Sequence, residues 1–474
     1  MVVMIAGFCA CLLLFGLGLT GCATYRPLPL DSASVAQQLR PPSTTSIQIA
    51  AQTIKHPLLA PLAYDDRDGL SPDEAAILSV IANPMLRALR DQRGVAAAQL
   101  LQTGILPNPQ LSWSLDVPTG GNTLGTVNAF GLGLGWEITA VIARGARIDA
   151  ARAHAVAVDL DIAWQEWQIA QAAKLQVLRV VSIETQVTVA HETENELYDN
   201  LTAVTQAVDR GDKTIIDLAA AEAAFQQARL TRLALEQEQQ KQRLALNEVL
   251  GLPAEVPVYL QPNIVLPLWP TFPSRQEMTE GVENRRLDLL ALKRGYDSQE
   301  ATLRANILAQ FPKITLGFVQ ARDTGNVGTS GSAITIDLPV FDRNQGHIAV
   351  EHATRQQLFD EYSARLFTAR ADVARAVAEI QSLTQQISAA EAALPKLQRL
   401  VQIYQAVVLE RNADILSYYA ARNTLATQRL DLLKFQQSRA ETGIALEIAA
   451  GRYFTSSPPF SSAPGQAEDG KGTP

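Results

Sequence analysis

Apolar and polar positions change rhythm along this chain, and the changes come round twice. Leu111, Trp113, Leu115 and Val117 alternate with polar neighbours, and Phe130, Leu132, Leu134, Trp136 and Ile138 alternate mainly with glycine. A period of two puts each set on one face of a strand. The loop signal Pro118-Thr119-Gly120-Gly121-Asn122 between them predicts a hairpin with one apolar face. The flanking rhythm is helical. Ser71-Pro72-Asp73-Glu74 combines an N-cap, a first-turn proline and a capping-box glutamate, predicting a helix from there to about Gly104.

From Ala146 to Arg210 the chain has neither glycine nor proline. That run of about 65 residues predicts on the order of 95 Å of continuous helix. Leu160, Trp164, Trp167, Leu175, Leu178, Leu197, Leu201, Val204 and Val208 fall at coiled-coil spacing, and alanine fills much of the rest. The run stops at Gly211, and a second helix is expected from near Thr214 to Gly251.

After a Pro-rich stretch the series returns. Ser274-Arg275-Gln276-Glu277 is another capping box, Leu287 to Leu308 is helical, and 312–318 and 334–338 predict a second hairpin around the Gly-rich loop Asp323 to Gly331. Helices are expected from about His347 to Leu409 and from Asp414 to Ala450. Leu86, Ala88 and Leu89 match Leu289, Ala291 and Leu292; Ile215, Ala220, Ala221 and Gly251 match Ile415, Ala420, Ala421 and Gly451. The offset drifts only from about 203 to about 200, so the chain reads as an internal duplication.

The N-terminus carries a different signal. Met1 to Thr20 is almost wholly apolar and runs into Leu19-Thr20-Gly21-Cys22, the pattern of a lipoprotein leader cut before Cys22, whose thiol takes the lipid. No Lys or Arg precedes Arg26, a departure from the usual basic n-region that an upstream start codon would explain. Ala23 favours the outer membrane over retention in the inner one. The organisation is thus a lipoprotein signal peptide (1–21), a lipid anchor with an extended segment (22–70), a first repeat (71–251), a Pro-rich linker (252–284), a second repeat (285–454) and a disordered tail (455–474).

Composition narrows the function. Cys9 and Cys11 fall in the leader, so Cys22 alone remains, and no disulfide or thiolate metal cluster forms within one chain. The net charge of −8 argues against a nucleic-acid partner. His56, His154, His191, His347 and His352 show no ligand spacing, so no metal site is expected. Neither a nucleophile–base–acid set nor a cofactor motif emerges, and the expectation is no catalysis and no cofactor. Each repeat offers one hairpin, so a chain supplies fewer strands than the roughly eight that a closed membrane barrel needs. Chains must share a barrel, with two or three copies as the candidates.

A leader with Cys22, a duplicated helix–hairpin–long helix–helix order, and the turn Arg210-Gly211-Asp212-Lys213-Thr214-Ile215-Ile216-Asp217-Leu218 followed by Ala221-Glu222-Ala223-Ala224-Phe225 together resemble the TolC-like outer-membrane efflux proteins over about residues 71–454. The resemblance implies a mainly α fold with a membrane β-barrel. Its protomer would be internally duplicated and would form a homotrimer with a twelve-stranded β-barrel on a twelve-helix α-barrel. It implies contact with outer-membrane lipid, a periplasmic adaptor (membrane fusion) protein and an inner-membrane RND-type pump. Val208, Arg210, Gly211, Thr214 and Asp217 would form the adaptor-binding tip, with Asn412 in the second tip. There Ser417 replaces the aspartate matching Asp217, which leaves Asp414 as the aperture candidate.

Pro395, expected to interrupt the second long helix, with Tyr404 downstream, resembles the outer-membrane arms of heavy-metal efflux systems, the CzcC-like group. The function read from the sequence is a passive export duct for small molecules or metal ions. A lipid-anchored periplasmic coiled-coil structural protein and a type I protein secretion duct stand as alternatives.

Overall fold

The computed structural model describes residues 24–65, 67–262, 264–266, 274–409 and 415–452. Cys22, Asn412, Asp414 and the tail after residue 452 lie outside them. Two short helices occupy the segment expected to be extended: α1 (Ser32–Gln38), capped by Asp31, and α2 (Thr44–Thr53), capped by Ser43. Of the apolar residues of α2 only Ile47 and Ala51, one turn apart, are buried, while Ile49 is exposed, and so short a run shows no clear period.

The helix expected from Ser71 to Gly104 is two helices, α3 (Pro72–Ala82) and α4 (Pro84–Gly104). Asn83 ends the first with extended backbone, and its side chain caps the second by accepting from the Met85 N–H. Proline at position 84 forces this break, because it excludes helical backbone in the residue before it. Strands β1 (Gln110–Asp116) and β2 (Ala129–Glu137) follow. Helix α5 (Ala140–Asp209) then begins one and a half turns earlier than expected, running through Gly145, and α6 (Ile215–Leu250) returns alongside it.

The second repeat comprises α7 (Arg275–Thr279), a short 3-10 turn (Val282–Asn284), α8 (Leu287–Leu308), β3 (Ile314–Arg322), β4 (Gly328–Ile336), α9 (Gln345–Leu409) and α10 (Ile415–Ala450). Much of the expected Gly-rich loop is strand. Thr329, Gly331 and Ala333 pair with Ala321, Val319 and Gly317, so the turn shrinks to Asp323–Val327. Pro395 does not interrupt α9. Its ring sits on an exposed face, where the carbonyl it leaves unbonded can reach water.

Helix contacts place four columns side by side: α4 with α6, then α5, then α8 with α10, then α9. Two of these columns are stacks. The end of α6 abuts the start of α4, where Asn83 Nδ2 donates to the Val249 carbonyl at 3.1 Å. Gly251 closes α6 in left-handed backbone (φ 71°), and a Cβ there would lie 2.6 Å from Asn83 Cα. The second repeat does the same: Gly451 (φ 62°) meets the backbone of Arg286 at the start of α8. The largest core lies at the first of these junctions, where Trp164, Trp167, Leu86, Leu246 and Leu250 pack with Ile77 and Leu78 of α3.

Candidate functional site

The two hairpins join into one antiparallel four-stranded sheet in the order β1-β2-β3-β4. Register decides what each face carries. Leu111 stands opposite Leu134, Trp113 opposite Leu132 and Leu115 opposite Phe130. Across the next ladder Leu134 meets Phe318 and Trp136 meets Leu316, and beyond it Leu316 meets Ile334. One face is therefore apolar across β1, β2 and the helix-bearing ends of β3 and β4, with Trp113 67% exposed, and it gives way to Gln320, Arg322, Ser330 and Ser332 toward the β3–β4 turn.

The opposite face holds mainly small residues, Ser112, Ser114, Gly131, Gly133, Gly135, Thr315, Gly317, Ala333 and Thr335, with Val319 among them and Asp116 and Glu137 near strand ends. Glycine here accommodates the serines: a Cβ on Gly131 or Gly133 would lie 2.7 or 2.6 Å from the hydroxyl of Ser114 or Ser112. A sheet apolar on one face and polar or small on the other is the wall of a pore between lipid and water. No helix among the described residues is long and apolar enough to cross a membrane.

The far end of the helices forms the tip. Helix α5 ends in a turn where the Gly211 N–H donates to the Val208 carbonyl at 2.8 Å and the Asp212 N–H to the Ala207 carbonyl at 2.8 Å. Gly211 takes φ 76°, the left-handed region open to glycine. Arg210 Nε lies 3.3 Å from Asp212 on the surface. Thr214 and Asp217 then form a capping box: Asp217 Oδ2 accepts from the Thr214 N–H at 2.8 Å, and Thr214 Oγ1 accepts from the Asp217 N–H at 3.3 Å. The Thr214 N–H holds the Asp217 carboxyl below its usual range. The structure thus gathers Arg210, Gly211, Thr214 and Asp217 in one exposed turn, beside the exposed Ile215 and Ile216. Val208 turns inward onto a core of Leu197, Val204, Tyr418 and Tyr419.

Sequence reasoning missed what ties α10 to α5 near this tip. The Tyr419 hydroxyl donates to Asn200, and Arg422 pairs with Glu196. Burial pushes the Tyr419 phenol upward. Above them a cavity of about 350 Å³ separates α6 from α10, walled by Ala220, Ala224, Ala420 and Leu430. The adjacent tyrosines just inside α10 were the available signal. No group of three or more His, Cys, Asp or Glu among the described residues is placed to hold a metal ion.

A duplicated helical protomer with a half-apolar sheet at one end and a tight helical turn at the other defines the class: a barrel-forming channel subunit. The family of outer membrane efflux proteins matches residues 79–252 and 280–452, one stretch per repeat, and the chain belongs to that family. Over 184 residues it is 27% identical to the cation efflux system protein CusC of Escherichia coli K12, an alignment spanning 35% of this chain and 39% of that protein. A crystal structure of CusC superposes with a TM-score of 0.69 at 21% identity, covering 85% of this chain and 98% of that one. The Campylobacter jejuni CmeC outer membrane channel gives 0.69 at 15% identity, covering 91% and 95%. Both superpositions show the shared fold.

Proposed function

We propose that this protein is the outer-membrane channel of a tripartite efflux system, a passive duct formed by three copies. The observation that carries the reading is the four-stranded sheet with both edges unpaired and a broad exposed apolar surface on one face. An open edge in a membrane leaves backbone groups without partners, so β4 of one copy must pair with β1 of the next. Three copies give a twelve-stranded ring, within the range of membrane barrels that start at about eight strands. The helices support the same closure. The outermost column α9 exposes Val350, Phe359 and Phe367, and the opposite outer column exposes Leu230, Leu233 and Leu244. Lateral contact between copies would bury both.

In this assembly the turn of Arg210, Gly211, Thr214 and Asp217 faces a periplasmic adaptor, with Val208 supporting it from within. Asn412 belongs to the matching second turn, and Asp414 is the aperture candidate. The adaptor would link the channel to an RND-type inner-membrane pump, and acyl chains on Cys22 would tether each copy to the outer membrane. The likeness to proteins described as cation efflux components supports metal cations as cargo. Conductance in planar bilayers, with oligomer mass in detergent, tests the duct. A non-conducting monomer would overturn it. Gly211→Pro should abolish adaptor pull-down and leave the trimer intact.

A further inference from the structure

The link from β4 to α9 exposes apolar side chains from a backbone that is held in place. Ile334 and Ile336 lie on the apolar face of the sheet, and Leu338, two residues on, continues that stripe past the last strand pair at 75% exposure. Phe341 follows at 92% exposure, with Val340 also exposed. Gln345 Nε2 donates to the Phe341 carbonyl at 3.1 Å, and its Oε1 accepts from the Arg343 N–H at 2.6 Å. Asn344 takes left-handed backbone (φ 63°). Its N–H donates to Asp342 at 2.8 Å, and its side chain donates to the Asn306 carbonyl of α8 at 2.8 Å.

A non-glycine residue in left-handed backbone persists only where its surroundings fix it. Here they fix a loop that leaves a phenylalanine outside the fold, an arrangement water disfavours and an apolar solvent favours. The corresponding positions in the first repeat are also apolar and exposed, though less fully: Val141 at 49% and Ile142 at 45%.

We propose that the Leu338–Phe341 link is a rigid anchor that inserts Phe341 and Leu338 into the periplasmic leaflet of the outer membrane. It rests on the reading of the sheet as a membrane wall, and it adds a contact below the strands. The link stands at the helix-bearing end of the sheet and continues its apolar face, so the occupant is phospholipid. Three such anchors per trimer would set how deep the barrel sits.

Nitroxide accessibility tests this. A label is placed at Phe341→Cys, at Leu132→Cys on the sheet and at Tyr259→Cys on an exposed loop, with the wild-type chain carried through the same labelling. Each is reconstituted in phosphatidylethanolamine–phosphatidylglycerol vesicles. The expected result is a label at 341 that collides with oxygen, is shielded several-fold from a nickel chelate relative to 259, and lies shallower than 132. A label at 341 as open to nickel as 259, with 132 shielded, overturns the anchor and leaves the channel reading intact. Shielding of 341 from both reagents also overturns it, because protein rather than lipid then covers the loop. Nickel access at 132 overturns both readings.

Discussion

Lys174 Nζ lies 3.2 Å from Glu447 Oε1 across the seam between the two repeats, with the side chains 2% and 0% exposed. Gln171 donates to the other carboxylate oxygen at 2.8 Å. Burial pushes the Glu447 carboxyl up to about 7, against the pull of Lys174 and Gln171 and with a further push from Asp73. Its folded value lies above the ordinary 4.5, so the folded chain holds a proton that the unfolded chain releases between the two. This contribution is present in full below the ordinary value and is lost as pH rises through about 7. Denaturant titrations at about pH 5 and about pH 8 should show that loss, and Glu447→Gln should flatten it. Lys174→Met removes the charge that favours the ionised carboxylate, so the same titrations should show a larger loss of stability between about pH 5 and about pH 8.

His56 gives the opposite slope. Its Nδ1 accepts from the N–H groups of Leu58 and Leu59 at 3.0 Å each, so Nε2 carries the hydrogen and donates to the Ala163 carbonyl at 2.9 Å. Burial lowers this group from its ordinary 6.5. Stability from the neutral ring is therefore present above that value and lost as pH falls through the folded one. Limited proteolysis of the 44–62 segment should quicken on acidification. His56→Ala should make it fast at every pH, because the ring's hydrogen bonds, each contributing about 1 kcal/mol, go together.

The column junctions make a test by contrast. Gly251→Ala meets both a left-handed φ of 71° and the backbone of Asn83, and should lower thermal stability by about 1–3 kcal/mol. Gly145→Ala, inside α5 with nothing within 4 Å, should raise it by up to about 1 kcal/mol. Thermal melts of both variants in detergent check the pair.

Alternate residues of one strand should respond differently to charge. Phe318 lies on the apolar face and its neighbour Val319 on the other. Phe318→Arg should destabilise the membrane-embedded form by about 2–4 kcal/mol. Val319→Arg should leave stability nearly unchanged and shift the ion preference of conductance. Equal destabilisation by both would contradict the facing assigned to the sheet.

Much of this architecture was legible because periodicity and punctuation agree along the chain. The alternation from Leu111 to Val117 and from Phe130 to Ile138 gave strand facing, and the shared offset between repeats gave the duplication. Capping signals at Ser71 and Ser274 marked helix starts that the structure has. What escaped depends on partners far away. The β4 segment reads as loop by its Gly, Ser and Thr content and becomes strand only because β3 lies beside it. Lys174 and Glu447 give no periodic signal, since each becomes tolerable in the core only through a residue 273 positions distant. The Asn83–Pro84 break was available as a helix stop and was outweighed by the helical composition around it.

The stacked columns imply uneven stiffness around the tube. α5 has 70 residues and forms a single hydrogen-bonded beam of roughly 105 Å. Its neighbours carry no peptide bond across their midpoints; there the load passes through contacts such as Asn83 to Val249 and Arg286 to Gly451. Both breaks lie beside Trp164 of α5, which packs with Leu250 and has the Arg286 guanidinium 4.9 Å from its ring, so the two columns are interrupted next to the same stretch of the continuous beam. Bending the tip outward would therefore flex α5 and α9 and merely open or close the gaps in between, which keeps the strand end still while the far end moves.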